Sequence, residues 1–479
     1  MVDRWLQWAG MKAKPSKCHC LALAGSTGEL VDPSLRISSE RIPFVADRPV
    51  KFLGLEVQIP TNKQRARMML SSKLESMMRK TDLCPITQRQ KLQIYRAAIC
   101  PRLTWLMMVQ EFPLTWIRTK LEAVATAYLK KWSGLAKSAN TAILYMKRAD
   151  GGLNLPALTS FYKTLQVSRQ CKLLTSQDPC VRRITEQALK NEETSVNKAF
   201  RPALEVREAM REDPGCNRQQ LLKRVKARVK DADNEARVNS LLTQEKQGNM
   251  LRLSSPDAID IWAGVVQSLP PDQQKFILNG TTDTLPHNAN LHLWQKRSSP
   301  DCPLCGKRQS LIHVLNCCPV AREFRRYNTR HDAVLGVIVQ AIKEYLPQSC
   351  TLVADLGDGY SLPSHILQTD LRPDIVWWDS QSVVLVELTI AFDVCLSEAH
   401  ERKEAKYCHL LDNAREHKFR ASLITLEVGS RGVPHLPGFQ GLQKALGLPV
   451  KPFKGLLRKV ISAAIEGSFS VWVNRNKCN

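Results

Sequence analysis

The fold class predicted is a multidomain α+β chain: a helical middle, a small cysteine-rich insert and a C-terminal α/β domain. Three observations predict it. The chain has 479 residues, 43% of them hydrophobic, enough for real cores in about two to four domains. Between residues 63 and 150 apolar side chains recur at spacings of three and four, as at Leu92, Tyr95, Ile99 and Leu103, which is a helical period. The last 130 residues alternate strand-like and helix-like stretches, which reads as an α/β domain.

Taken in order, residues 1–62 form a short α/β piece. "DRWLQWAGM" is helical, while "KCHCLAL" and "VKFLGLEVQI" read as strands. Residues 63–150 are helical and basic, with 17 Lys and Arg against 5 Asp and Glu. That is half of the chain's net charge of +24, and a basic helical bundle makes a natural groove wall for a phosphate backbone. "RADGGLNLPAL" (148–158) is a turn at Gly151-Gly152. Residues 151–290 continue as helices, and "RQQLLKRVKARVK" (218–230) is either a solvated helix face or a second basic contact. Residues 255–300 read as a connector rich in Pro, Asn and Ser. The cysteine-rich insert spans 291–330 and the α/β domain 331–479.

The charge balance, 69 Lys and Arg against 45 Asp and Glu with a pI near 9.6, points to a polyanionic partner, nucleic acid first. No stretch of 18 apolar residues occurs, so no transmembrane helix and no membrane partner are expected. The N-terminus carries Asp3 and no long apolar run, unlike a secretory signal. The 15 Cys are an odd number, mostly scattered singly in apolar segments, which fits a reducing compartment.

One cysteine cluster departs from that scatter. "CPLCGKRQSLIHVLNCC" has the spacing Cys302-x2-Cys305-x7-His313-x4-Cys318. Four soft N/S ligands close a tetrahedral site, a composition that selects structural zinc. A redox Cys-x-x-Cys is the alternative, though it needs neither the His nor the later Cys. Cys317 could replace Cys318 by a one-residue slip. Arg322, Arg325 and Arg326, just beyond, add positive charge for a nucleic-acid contact.

A second constellation lies in "LRPDIVWWDSQSVVLVELT" (371–389). Read as an antiparallel hairpin about Ser380-Gln381, it sets Trp377 against Val384, Ile375 against Val386 and Asp374 against Glu387. Opposed residues share a face with Cβ atoms about 4.5–5.5 Å apart. Two carboxylates that close share a proton or a cation. A divalent metal, Mg²⁺ or Mn²⁺, is one answer. A structural pair is the other, with Asp374 bridged to Arg372 and Glu387 capping a strand edge. In the helix that follows, Ser397 is the expected N-cap. His400, Lys403, Lys406 or Tyr407, and Leu410 share one helical face, able to hold a phosphate or to be merely solvated.

Asp-x12-Glu after Arg-Pro, with a Lys/Tyr helix following, resembles the restriction-like endonuclease of LINE-type (non-LTR) retrotransposon proteins, a variant PD-(D/E)xK nuclease. The Cys-Cys-His-Cys segment is similar to the zinc knuckle before that nuclease. "RADGGLNLPAL" and the helices before it resemble the linker and thumb after a reverse transcriptase, and "WAGMKAKPSKC" and "VKFLGLEV" its last palm motifs. The resemblance implies an end of palm at 1–62, a thumb at 63–150, a linker at 151–290, a knuckle at 291–330 and a nuclease at 331–479. It implies metal-binding acids at Asp374 and Glu387, basic and aromatic helix positions at Lys403, Lys406 and Tyr407, and zinc ligands at Cys302, Cys305, His313 and Cys318. Lys17 matches a late palm lysine and Gly54 the primer-grip turn. Lys17, Arg322, Arg325, Arg326 and Arg372 are the expected nucleic-acid contacts. The implied activity is Mg²⁺- or Mn²⁺-dependent nicking of target DNA to prime reverse transcription, in the nucleus, with element RNA as a second partner and self-association left open. The alternative is a nucleic-acid-binding remnant without catalysis. Two departures stand out. Thr389 occupies the place where the wider fold has its lysine, which leaves Lys403 or Lys406 as stand-in. No Asp-Asp pair occurs, so polymerase aspartates are expected upstream of residue 1 and no polymerisation from this chain alone.

Overall fold

Helix dominates a mixed α+β chain in this computed structural model, which describes residues 2–25, 27, 29–47, 50–52, 55–57, 63–190, 218–357, 361–367 and 369–478. The chain forms two compact units. One comprises 1–84, 97–125 and 161–226; the other 85–96, 126–160 and 227–479.

In the first unit, helix α1 (Lys63–Leu83) buries Leu70, Leu74 and Met78, spaced by four, and turns Lys63, Arg65, Lys73, Arg79 and Lys80 outward. Lys73 Nζ donates to the Arg102 carbonyl at 2.8 Å, and the Arg67 guanidinium lies 5.8 Å from the Trp116 ring centre. The buried Gln166 amide donates to the Met107 carbonyl at 2.6 Å, supplying a donor where the helix Cys100–Val109 ends. The N-terminal stretch is helical over Val2–Trp8, as expected, with none of its residues buried. Two expected strands differ. "KCHCLAL" makes only isolated bridges, Cys20 to Phe44 and Leu23 to Leu30. "VKFLGLEV" is not one strand but a hairpin, Val50–Phe52 against Leu55–Val57. Gly54 lies outside the described residues. Lys17 ends a short turn, Pro15–Lys17, and is exposed.

In the second unit the Gly151-Gly152 turn forms as expected. Gly151 has φ +84°, and a Cβ on Gly152 would lie 2.2 Å from the Met146 carbonyl oxygen, so only glycine fits. "RQQLLKRVKARVK" opens helix α2 (Arg218–Leu242), whose residues 218–226 belong to the first unit and whose remainder belongs to the second. Residues 255–300 are not a connector. They hold helices Pro256–Val266, Pro271–Thr281 and Asn288–Leu293, with Trp262 fully buried. Their prolines sit at the first helical positions, where the missing N–H costs nothing, and Ser255 caps the first by accepting from Ala258 N–H.

The C-terminal sheet has the order β1 (Thr351–Ala354), β2 (Ile375–Trp378), β3 (Ser382–Ala391), β4 (Arg420–Gly429). The first two pairings are antiparallel and the last is parallel. A parallel neighbour needs a crossover, supplied by helix α4 below. Helix α3 (Arg326–Tyr345) packs on the C-terminal helix α6 (Val450–Val473), where Gly467 admits the Arg330 stem: a Cβ there would lie 2.6 Å from Arg330 Cγ. Between β3 and β4 runs α4 (Leu396–Glu416), and between β4 and α6 runs α5 (Leu436–Leu446). Val376, Val383 and Leu385 form one face of the sheet and pack with Tyr407, Leu410 and Ala414 of α4. Helix α4 begins at Leu396 with Cys395 as its cap residue and no side-chain cap bond, so Ser397 lies inside the first turn and is not the N-cap.

Candidate active site and metal centre

The hairpin pairs in the register the sequence predicts: Ile375 with Val386 and Trp377 with Val384. Period two along β3 puts Glu387 on the same face as Val383 and Leu385, beneath α4. Asp374, two residues before Val376, joins that face just ahead of β2. The carboxylates interlock through the backbone. Asp374 N–H donates to Glu387 Oε2 at 3.2 Å, and Leu388 N–H donates to Asp374 Oδ2 at 2.7 Å. Both acids are buried, Glu387 to 2% exposure and Asp374 to 9%.

Each acid has a cation. Lys403 on α4 is ion-paired to Glu387 Oε1. His331 on α3 meets Asp374 Oδ2 through Nε2 at 3.3 Å. Burial and the neighbouring Asp374 charge push the Glu387 carboxyl above its usual range, against the pull of Lys403. Burial alone would depress His331; its bond to Asp374 and that charge, with Asp332 adding, outweigh it and push the imidazole up to about 9. His331 and Lys403 both open onto a cleft of about 390 Å³. Arg322, Arg330 and Thr389 line its walls. Arg330 is 2% exposed, pairs with no carboxylate among the described residues, and donates to Ser468 Oγ at 3.1 Å.

The other expected residues are placed differently. Lys403, not Lys406, reaches the acids. Lys406 Nζ donates to the Tyr407 hydroxyl at 3.0 Å, and Tyr407 is a core residue at 1% exposure whose hydroxyl donates to the Arg372 carbonyl at 3.4 Å. One turn beyond Lys403 on α4, it packs on the apolar part of the sheet face. The structural alternative needs correcting too. Arg372 bridges to Asp355 at 2.6 Å, and β3 lies inside the sheet, so Glu387 caps no edge. Arg326 is committed to the chain's own C-terminal turn, donating to the carbonyls of Asn474 and Lys477 at 2.7 and 2.6 Å. Arg325 is exposed with φ 53°, at the cap of α3.

Sequence reasoning missed His331 and Glu427. Glu427, on β4 beside Thr389, is 1% exposed and accepts from His400 Nδ1 at 2.7 Å and His435 Nδ1 at 3.3 Å. Burial would raise its carboxyl, but the bonds from His435 and His400 hold it below the usual range. An acid alone in "ASLITLEV" is the same signal that marked Glu387. No spacing could tie His331 to Asp374 across 43 residues.

In the cysteine cluster, ligand atoms of Cys302, Cys305, His313 and Cys318 all lie within 4.8 Å of one another. Cys318 Sγ is 3.9 Å from Cys305 Sγ, and Cys305 Sγ is 3.4 Å from His313 Nε2. Sulfurs about 2.3 Å from a tetrahedral zinc would lie about 3.8 Å apart, so the donor set fits the ion. The turn is built for this. Gly306, at φ +72°, donates to the Cys302 carbonyl at 2.9 Å, and Cys302 N–H donates to the Lys307 carbonyl at 2.7 Å. Cys317 is exposed and lies outside the cluster, so Cys318 is the fourth donor of the set. Burial and the adjacent Cys302 and Cys305 push the Cys318 thiol up to about 11, and burial with Lys307 lowers His313. The cluster is tied to the sheet domain by Asn316 donating to the Ile390 carbonyl at 3.0 Å and Gln309 to Asn476 Oδ1 at 3.0 Å. It can hold a metal ion, with a donor set suited to zinc.

No described helix is long and apolar enough to cross a membrane. Compared with known proteins, the chain matches no family model and no curated protein.

Proposed function

We propose that the C-terminal domain is a divalent-metal-dependent DNA endonuclease of the restriction-like type, in a chain that otherwise grips nucleic acid. The observation that carries this reading is the buried Asp374–Glu387 pair with Lys403 on Glu387, at the edge of a cleft walled by Arg322 and Arg330. Two carboxylates with water and phosphate oxygens suit Mg²⁺ or Mn²⁺, and Asp374 and Glu387 would hold it. When bound, such an ion supplies charge stabilisation and an acidified water. Lys403 holds positive charge beside the acids and can meet the non-bridging phosphate oxygens where negative charge develops. Arg322 orients the neighbouring backbone. The hydrolysis adds water oxygen to phosphorus, breaks the P–O3′ bond and returns a proton to O3′, leaving a 3′ hydroxyl able to prime synthesis.

A supercoiled-plasmid nicking assay on the full chain with Mg²⁺ or Mn²⁺ tests this. Wild type should nick, and Asp374→Ala should lose nicking while retaining DNA on a filter. Nicking that survives Asp374→Ala sinks the metal-site reading. The second reading is a nucleic-acid grip without cleavage, favoured by the fact that each carboxylate already has a protein cation. Wild type that retains DNA and never cuts with either ion decides for it. The resemblance to the LINE-type endonuclease, the nuclear location, the RNA partner and the Arg322 and Lys17 contacts belong to this proposal.

A further inference from the structure

A second cavity, of about 220 Å³, lies away from the carboxylate pair and is walled in part by His287, Arg431, Lys246, Arg308 and Asp283. Two of these side chains each carry one buried nitrogen without a hydrogen bond. Arg431 is 2% exposed; its Nε donates to Asp393 Oδ2 at 2.8 Å and its Nη1 to the Gly280 carbonyl at 3.2 Å, while Nη2 has no hydrogen bond. His287 is 3% exposed; its Nδ1 accepts Asn290 N–H at 3.2 Å, which leaves the ring proton on Nε2. That Nε2 has no hydrogen bond either, its nearest acid being Asp283 Oδ1 at 3.7 Å, out of reach. Buried donors are almost always satisfied, so two orphans on one cavity wall indicate an acceptor that enters the cavity.

Charge narrows the acceptor. Lys246 and Arg308 are exposed at the cavity, and Asp283 is the one carboxylate in its lining. Four donor-bearing side chains, His287, Arg431, Lys246 and Arg308, against one carboxylate call for an anionic group with several acceptor oxygens, and a phosphate offers more of them than a carboxylate. The volume is below the roughly 300–1,000 Å³ of pockets that enclose drug-sized ligands, so the guest is a small group. We propose that this cavity binds the phosphate of a phosphate ester, either a free nucleotide or one phosphodiester of a polynucleotide. The proposal does not depend on the endonuclease reading.

The test is calorimetric titration of the full chain with inorganic phosphate and with AMP, followed by displacement of AMP with a single-stranded oligonucleotide. Saturable one-to-one binding is expected. His287→Asn keeps an acceptor for Asn290 N–H and removes the Nε2 donor; Arg308→Ala removes an exposed cation. Each should weaken phosphate binding about tenfold. Arg308→Ala carries the test alone if the other variant does not fold. Displacement by the oligonucleotide identifies a polynucleotide phosphate, and resistance to it a free nucleotide. Absence of saturable binding, or binding unchanged in every folded variant of the cavity, overturns the proposal.

Discussion

Lys403→Ala removes the cation on a carboxylate that is 2% exposed, and its cost can be worked from the structure. Unit charges about 4 Å apart interact by roughly 4 kcal/mol at an effective dielectric near 20. The Lys403 side chain is 23% exposed, so solvent screens part of that. Losing it should cost about 2–3 kcal/mol, toward the lower end of values for broken buried pairs. The penalty falls on charged Glu387 alone. Its carboxyl already titrates above the ordinary 4.5 and will rise further in the variant. A raised carboxyl loses nothing where both folded and unfolded forms are protonated, and loses most above its folded value. The destabilisation should therefore be full near pH 8 and fade as pH falls toward 4.5. Hydrogen exchange at the β3 amides of the full chain, compared at pH 8 and pH 5 after correction for intrinsic rates, reads this locally. Adding Glu387→Gln should recover most of the loss. Equal losses at both pH values, or no recovery in the double variant, would refute the reasoning.

The purified chain should carry about one zinc, lost in Cys318→Ser and kept in Cys317→Ser by elemental analysis; the reverse pattern would assign the wrong cysteine. In metal-free protein the His331 ring should titrate near pH 9, so stability it contributes is whole below 6.5 and lost as pH rises through 9. An NMR midpoint at 6.5 or lower contradicts its bond to Asp374, and Asp374→Asn should bring the midpoint down. Gly152→Ala drives a Cβ to 2.2 Å from a backbone oxygen and should cost about 2–4 kcal/mol, so an unchanged melting temperature argues against that close approach.

Local features were the legible ones. The hairpin register followed from a two-residue turn and period-two side chains, and the Cys/His donor cluster from spacing within 17 residues. Helical period found α1 and the Lys/Tyr helix. Misreadings arose where one residue type serves two contexts. Prolines at 256 and 271 looked like linker breaks, yet at a helix's first turn they start structure. Tyr407 shared a helical face with Lys403, but a face three residues wide looks onto both the acids and the apolar core. His331 required tertiary knowledge, because only the packing of α3 brings it to Asp374.

Thr389 has a last consequence. A lysine two residues along a strand is aimed by the covalent backbone and cannot drift. Lys403 is carried instead on a separate element, and its aim depends on how Tyr407, Leu410 and Ala414 seat that helix on the sheet. A slip of one helical turn, about 5.4 Å, would carry Lys403 off Glu387. The charge beside the acids is thus tuned by hydrophobic volume two turns away. Repacking Leu410 could detune the site as surely as deleting its lysine.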